Sequence, residues 1–109
     1  MKVYGIKNCD TVKKALKFLD EKSVDYEFID FKKTPPTKTL IKKWAKELGD
    51  LPVNKRGTTF RKFKEDYESG SKEEKINLLV ENSSAIKRPI VESSEVMMGF
   101  DKELWSSKF

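Results

Sequence analysis

The chain has no histidine and one cysteine among its 109 residues. Without imidazole there is no Cys-His dyad, no Ser-His-Asp triad and no zinc site built on histidine. A single cysteine makes no internal disulfide, which excludes a disulfide scaffold. One thiolate with scattered carboxylates forms no recognisable ligand set, so no metal is expected. No apolar run approaches the ~20 residues of a membrane span. The opening Met1-Lys2-Val3-Tyr4-Gly5-Ile6-Lys7 lacks the apolar stretch of a signal peptide. The expectation is a soluble cytoplasmic protein with no membrane partner.

Charge and aromatic rings are abundant. Charged residues, at 38%, slightly outnumber apolar ones at 37%, so the core must come from large side chains. Seven Phe, three Tyr and two Trp provide them. The length suits one domain, residues 1–109. The net charge of +5 sits in the first 43 residues, which hold 11 basic and 6 acidic side chains. Both an ordinary solvated surface and a field that draws anions fit this distribution. A nucleic-acid-binding module is a further reading of the charge, but no nucleic-acid motif accompanies it.

Val3-Tyr4-Gly5-Ile6 is expected to be a first strand. Lys7-Asn8-Cys9-Asp10-Thr11 follows as a loop, with Asp10 or Thr11 capping a helix. Val12, Ala15, Leu16, Phe18 and Leu19 mark that helix, which should end near Lys22-Ser23. Tyr26–Phe31 reads as a second strand, parallel to the first because a helix joins them. Thr34-Pro35-Pro36-Thr37 breaks the chain. Leu40, Ile41, Trp44, Ala45 and Leu48 mark a helix ended by Gly49. Phe60, Phe63 and Tyr67 suggest a short helix, and Ser71-Lys72-Glu73-Glu74 a capping box for another. Ile86–Glu92, with Pro89 at its head, reads as a strand. Its hairpin partner is Glu95–Phe100, and Asp101 should cap a last helix. The result is an α/β chain, β-α-β plus β-β-α, with a helical insertion at about residues 37–82. That is the plan of a thioredoxin-like fold.

Three places carry chemistry. Cys9 is the only soft nucleophile, and a helix N-terminus beside it favours thiolate. A lone cysteine is often an inert buried residue. The placement of Cys9 in a capping loop, outside any apolar stripe, favours a reactive one. Asp10 is expected to turn its carboxylate toward the helix N–H groups and away from the sulfur. Asn54-Lys55-Arg56-Gly57-Thr58-Thr59-Phe60-Arg61 combines guanidinium, hydroxyl and helix-start donors. It reads as an anion cradle or as a basic loop with capping threonines. In Lys87-Arg88-Pro89-Ile90-Val91, the proline cannot donate to a strand ladder.

The segment Tyr4–Thr11 resembles the active-site start of the arsenate reductase (ArsC)-related, Spx-like family. Asn54–Arg61, Ile86–Ile90 and Gly99-Phe100-Asp101 resemble its other signature segments, and the likeness is strongest to its YffB branch. The resemblance implies a thioredoxin fold with a helical insert and a small glutathione-dependent thiol or oxyanion reductase. It makes Cys9 the nucleophile and Arg56 and Arg88 the anion-binding groups. Pro89 would be the family's cis-proline. Lys7, Asn8, Thr11, Thr58 and Pro89 would line the position of substrate or glutathione. Glutathione would act as co-substrate, with no cofactor bound, and glutathione or glutaredoxin would be the partner of a monomer. With one cysteine, resolution of a sulfur adduct requires an external thiol or another chain. Three features set this chain apart. Val96-Met97-Met98-Gly99-Phe100 holds no arginine on the late hairpin, so whether the substrate is arsenate, another oxyanion or a disulfide stays open. Cys9-Asp10-Thr11-Val12 is no Cys-x-x-Cys switch. Ala15 stands where a phosphatase-like Cys-x5-Arg loop would place arginine. The alternative reading is a non-enzymatic Spx-like regulator that binds RNA polymerase.

Overall fold

A computed structural model describes residues 1–109. Its elements run β1 (Lys2–Gly5), α1 (Asp10–Glu21), β2 (Glu27–Asp30), α2 (Lys38–Leu48), α3 (Thr58–Arg61), α4 (Lys64–Ser69) and α5 (Lys72–Glu81). A 3-10 turn at Ser83–Ala85 leads to β3 (Ile90–Glu92), β4 (Val96–Met98) and α6 (Lys102–Lys108). The chain forms two compact units, Met1–Thr34 with Arg88–Phe109, and Pro35–Lys87.

The first unit is built on one mixed sheet in the order β2-β1-β3-β4. β1 and β2 are parallel, as the intervening helix requires, and the other two pairings are antiparallel. Register places Val3 between Phe28 and Val91. The alternation of side chains along a strand then decides which residues meet the helices. Val3, Val91 and Met97 pack with Ala15, Phe18 and Leu19 of α1 and with Trp105 of α6. Trp105 stands edge-on to Phe18, Phe100 and Phe109, so aromatic area replaces the missing aliphatic bulk. Asp101 caps α6 as expected, accepting from the N–H groups of Glu103 and Leu104. The mixed sheet and its helices form the expected α/β, thioredoxin-like plan.

The second unit holds α2 to α5. α2 ends at Gly49, whose φ of 86° is the left-handed conformation that glycine adopts without strain. The capping box on α5 is present: Ser71 accepts from the Glu74 N–H, and Glu74 accepts from the Ser71 N–H. Two expectations need correction. Phe60, Phe63 and Tyr67 do not share one helix. Phe63, at φ −129° and ψ 19°, separates α3 from α4, and the three rings pack on one another. Nor is Ile86–Glu92 one strand. Ile86 makes a lone antiparallel bridge to Val53, and the Lys87 N–H reaches the Pro52 carbonyl at 3.0 Å. Pro89 has no N–H to extend a ladder, so β3 starts at Ile90.

Candidate functional site

The sheet register gathers four chain segments at one end of the first unit. β1, β2 and β4 finish there and β3 begins there. That end therefore carries the Ile6–Cys9 turn, Arg88-Pro89 and Gly99-Phe100. The Gly99 N–H donates to the Pro89 carbonyl at 2.8 Å, tying two of these segments together.

Cys9 enters by a tight turn in which its N–H reaches the Ile6 carbonyl at 3.1 Å. Its own carbonyl accepts the Lys13 N–H at 2.9 Å, the first bond of α1. The helix N-cap is thus Cys9 itself, in extended conformation at φ −90° and ψ 124°. This corrects the expectation that Asp10 or Thr11 would cap. The turn closes at Cys9, so Asp10 is already helical. Asp10 is exposed and makes no hydrogen bond to the helix N–H groups, so the expected orientation of its carboxylate is also absent. No side chain occupies the cap, and the first-turn N–H groups are left for the Cys9 sulfur or a bound anion. The thiol is half-buried. Gly5 makes the turn feasible: a Cβ there would lie 2.8 Å from Cγ2 of Val12, so β1 and α1 approach too closely for any side chain.

Arg88 precedes a cis peptide bond to Pro89, matching the conformation the resemblance implied. The Arg88 side chain is half-buried, and its Nε is sealed from solvent without an acceptor. A buried donor left unpaired is costly, and it calls for an acceptor from outside the chain, be it water, an ion or a ligand. Lys7, Asn8 and Thr11 are exposed around the Cys9 turn. Lys7 lies at a cavity of about 460 Å³ along β2, with Glu27, Asp30 and Lys33 among its walls.

Arg56 and Thr58 belong to the second unit. There Asn54 organises the loop: its Oδ1 accepts the Arg56 N–H at 3.2 Å and its carbonyl the Gly57 N–H at 3.2 Å. Arg56 is exposed, and Thr58 begins α3. The neighbouring Thr59 hydroxyl accepts from Ser84, so that threonine serves local packing.

One half-buried pair at this sheet lies outside the sequence reading. Tyr4, in the strand that leads to Cys9, donates its hydroxyl to Glu92 Oε1 at 2.9 Å. Burial first, then the bond to Glu92 and its negative charge, hold the phenol well above the ordinary tyrosine range. The ring also stacks on Phe31 at 6.2 Å. Both Tyr4 and Glu92 were visible in the sequence, but only the register brings two residues 88 positions apart together. The other missed contributor is Gly5. Its place, directly before a loop that opens a helix, is the signal for close approach.

The ArsC family model matches residues 4–107. The chain belongs to the ArsC family. A relative from Haemophilus influenzae, described as an uncharacterized protein, is 36% identical over 110 residues, covering 98% of this chain and 96% of its own. The solved YffB (PA3664) protein is 37% identical with a TM-score of 0.88, covering 97% of this chain and 96% of its own. An arsenate reductase (ArsC) related protein from Brucella melitensis is 34% identical with a TM-score of 0.74, covering 97% and 91%. The arsenate reductase from Vibrio cholerae shares the fold, at 18% identity and a TM-score of 0.76, covering 90% and 89%. The likeness spans nearly the whole ArsC chain, including the Cys9 turn, Arg88-Pro89 and the Gly99 corner. No helix is long and apolar enough to cross a membrane.

Proposed function

We propose that this ArsC-family chain is a glutathione-dependent reductase in which Cys9 is the sole nucleophile. The observation that carries the reading is the pairing of a vacant helix cap at Cys9 with an unpartnered guanidinium Nε at Arg88, on the same sheet end. The first supports negative charge on sulfur, and the second is a donor awaiting an anion. With a disulfide substrate, the Cys9 thiolate attacks the glutathione sulfur of a mixed disulfide. A Cys9–glutathione disulfide forms and the substrate leaves as thiolate. A second glutathione attacks that disulfide, regenerating Cys9 and releasing oxidised glutathione. With an oxyanion, the sulfur replaces one oxygen, which leaves as water. Glutathione then attacks the Cys9 sulfur, forming the Cys9–glutathione disulfide while the pair of the broken sulfur–oxyanion bond reduces the central atom by two electrons. A second glutathione clears that disulfide to regenerate Cys9 and release oxidised glutathione. Arg88 holds the anionic group in either case. Arg56 keeps the anion-binding role that the resemblance gives it, to be tested by Arg56→Ala.

The test is turnover of arsenate and of a small glutathione mixed disulfide, with glutathione oxidation followed by a coupled reductase. Wild type is expected to turn over at least one of them. Cys9→Ser, which exchanges sulfur for oxygen at the same size, is expected to abolish turnover with an unchanged far-UV spectrum. Full activity in Cys9→Ser, or none in wild type on any thiol or oxyanion substrate, would sink the assignment.

A further inference from the structure

A groove on the first unit is unused by this chemistry. It has a volume of about 250 Å³ and is lined by Lys14, Lys17, Phe18, Glu21, Phe100 and Lys102. Its floor is aromatic: the Phe18 and Phe100 rings are 5.7 Å apart, and Phe100 is backed by Trp105 at 4.8 Å. Phe100 is half-exposed. The rim holds three lysines against one glutamate, and Lys14, Lys17 and Lys102 are exposed with no carboxylate partner. Two walls of the groove lead along the chain to the Cys9 end of the sheet. Gly99, at φ 77°, turns the chain out of β4 while bonded to Pro89, and Phe100 follows it directly. Along α1, Lys14 and Lys17 follow Cys9 by five and eight residues, which puts Lys17 about 12 Å from Cys9 down the helix axis.

We infer that this groove docks the substrate, and that the substrate is a protein with an acidic face around a glutathionylated cysteine. The inference rests on the proposed reductase reading and names its substrate class. Three unpaired lysines around an apolar floor complement carboxylates flanking an apolar side chain. The distance decides the size of the occupant. A tripeptide thiol spans only about 10 Å when fully extended. It cannot place its sulfur at Cys9 and still fill a groove that continues past Lys17. The chemistry balances. Cys9 thiolate attacks the glutathione sulfur, the protein cysteine leaves as thiolate, and the resulting Cys9–glutathione disulfide is cleared by free glutathione, giving oxidised glutathione.

The test uses a small carrier protein with one glutathionylated surface cysteine, made with a glutamate-rich face in one form and a lysine-rich face in the other. A low-molecular-weight glutathione mixed disulfide serves as reference. Against the acidic carrier, Lys14→Glu/Lys17→Glu/Lys102→Glu is expected to lower kcat/KM by about tenfold or more, with the wild-type value falling as salt is raised. The same variant is expected to keep wild-type turnover on the reference disulfide, since none of its positions touches the Cys9 turn. Binding of each carrier to Cys9→Ser, measured by fluorescence anisotropy, separates docking from chemistry. Tight binding of the acidic carrier without turnover of any substrate by wild type would overturn the reductase reading and leave the docking face standing. Equal binding of both carriers, an equal loss on both substrates in the triple variant, or preferential salt-sensitive binding of single-stranded RNA to the lysines would overturn the docking inference.

Discussion

A helix cap usually carries an oxygen that accepts the first free N–H groups, whereas the N-cap residue of α1 is Cys9, whose side chain makes no cap hydrogen bond. A neutral thiol is a weak acceptor, so the first-turn N–H groups of α1 remain available to a bound anion. Arg88 is the complementary case, a donor with no acceptor. Arg88→Ala is therefore expected to move two measurements in different directions. The kcat/KM for the anionic or disulfide substrate should fall about 10- to 100-fold, corresponding to roughly 1.5–3 kcal/mol for a charge-assisted bond. The urea midpoint should hold or rise, because the change removes a buried unsatisfied group. Parallel losses in both would make Arg88 a structural residue. Tyr4 gives a pH-dependent prediction. Its phenol is held above the usual value by burial and by Glu92, so the folded state retains the proton more tightly than the unfolded chain. This contribution to stability is complete below the unfolded value of about 10 and is lost as pH rises beyond it. Tyr4→Phe should flatten the fall in unfolding free energy above about pH 10. Tyr26 and Tyr67, whose phenols are also raised, would preserve part of the slope. An identical alkaline slope in variant and wild type would show that Tyr4 titrates alike in both states.

At the scale of elements, the junction of β1 with α1 controls where Cys9 sits. Val12 is β-branched and in a helix has one strongly preferred rotamer, so it cannot swing away from a Cβ at position 5. Gly5→Ala is expected to cost about 1–3 kcal/mol in urea unfolding, the range for forcing atoms into a packed core. It should also slow Cys9 alkylation or turnover by displacing the first turn of α1. Gly5→Ala/Val12→Ala should recover the turnover of Val12→Ala alone. Failure of that rescue would place the defect elsewhere. The same junction shows what periodicity conveys and what it hides. Val12, Ala15, Phe18 and Leu19 gave α1 its buried face, and Ser71 with Glu74 gave α5 its cap, because both signals are local. The cap of α1 was misplaced because Asp10 and Thr11 have the chemistry of a cap, whereas the turn from Ile6 decides the position. The Phe60–Tyr67 stretch has helical spacing but bends at Phe63, where ring packing outweighs continuity. Cys9 and Arg88 were legible from residue type and resemblance. The unpaired state of Arg88 Nε and the Tyr4–Glu92 bond depend on register, which no short window contains.

For the molecule as a whole, the consequential fact is that the unit carrying Cys9 is assembled from both ends of the chain. β1 and α1 come from the first residues, while β3, β4 and α6 come from the last. Closing that sheet brings together segments separated by the 53 residues of Pro35–Lys87, a loop whose entropy cost grows only slowly with its length. The return comes from the core that the two ends share. Trp105 is its largest side chain, 1% exposed, and contacts α1 through Phe18. Trp105→Ala is accordingly expected to cost about 3–5 kcal/mol, the range for truncating a buried aromatic. That is a large fraction of the roughly 5–15 kcal/mol that holds a domain folded. Urea unfolding followed by circular dichroism should show an early midpoint, and Cys9 should become fully reactive to alkylating agents at the same urea concentration. Trp105→Phe keeps an aromatic in the cluster and should lose much less. A loss below about 0.5 kcal/mol in Trp105→Ala, within the range of an ordinary surface change, would mean that α6 only covers a sheet already stable without it. Cys9 would then owe its position to the N-terminal β-α-β segment alone.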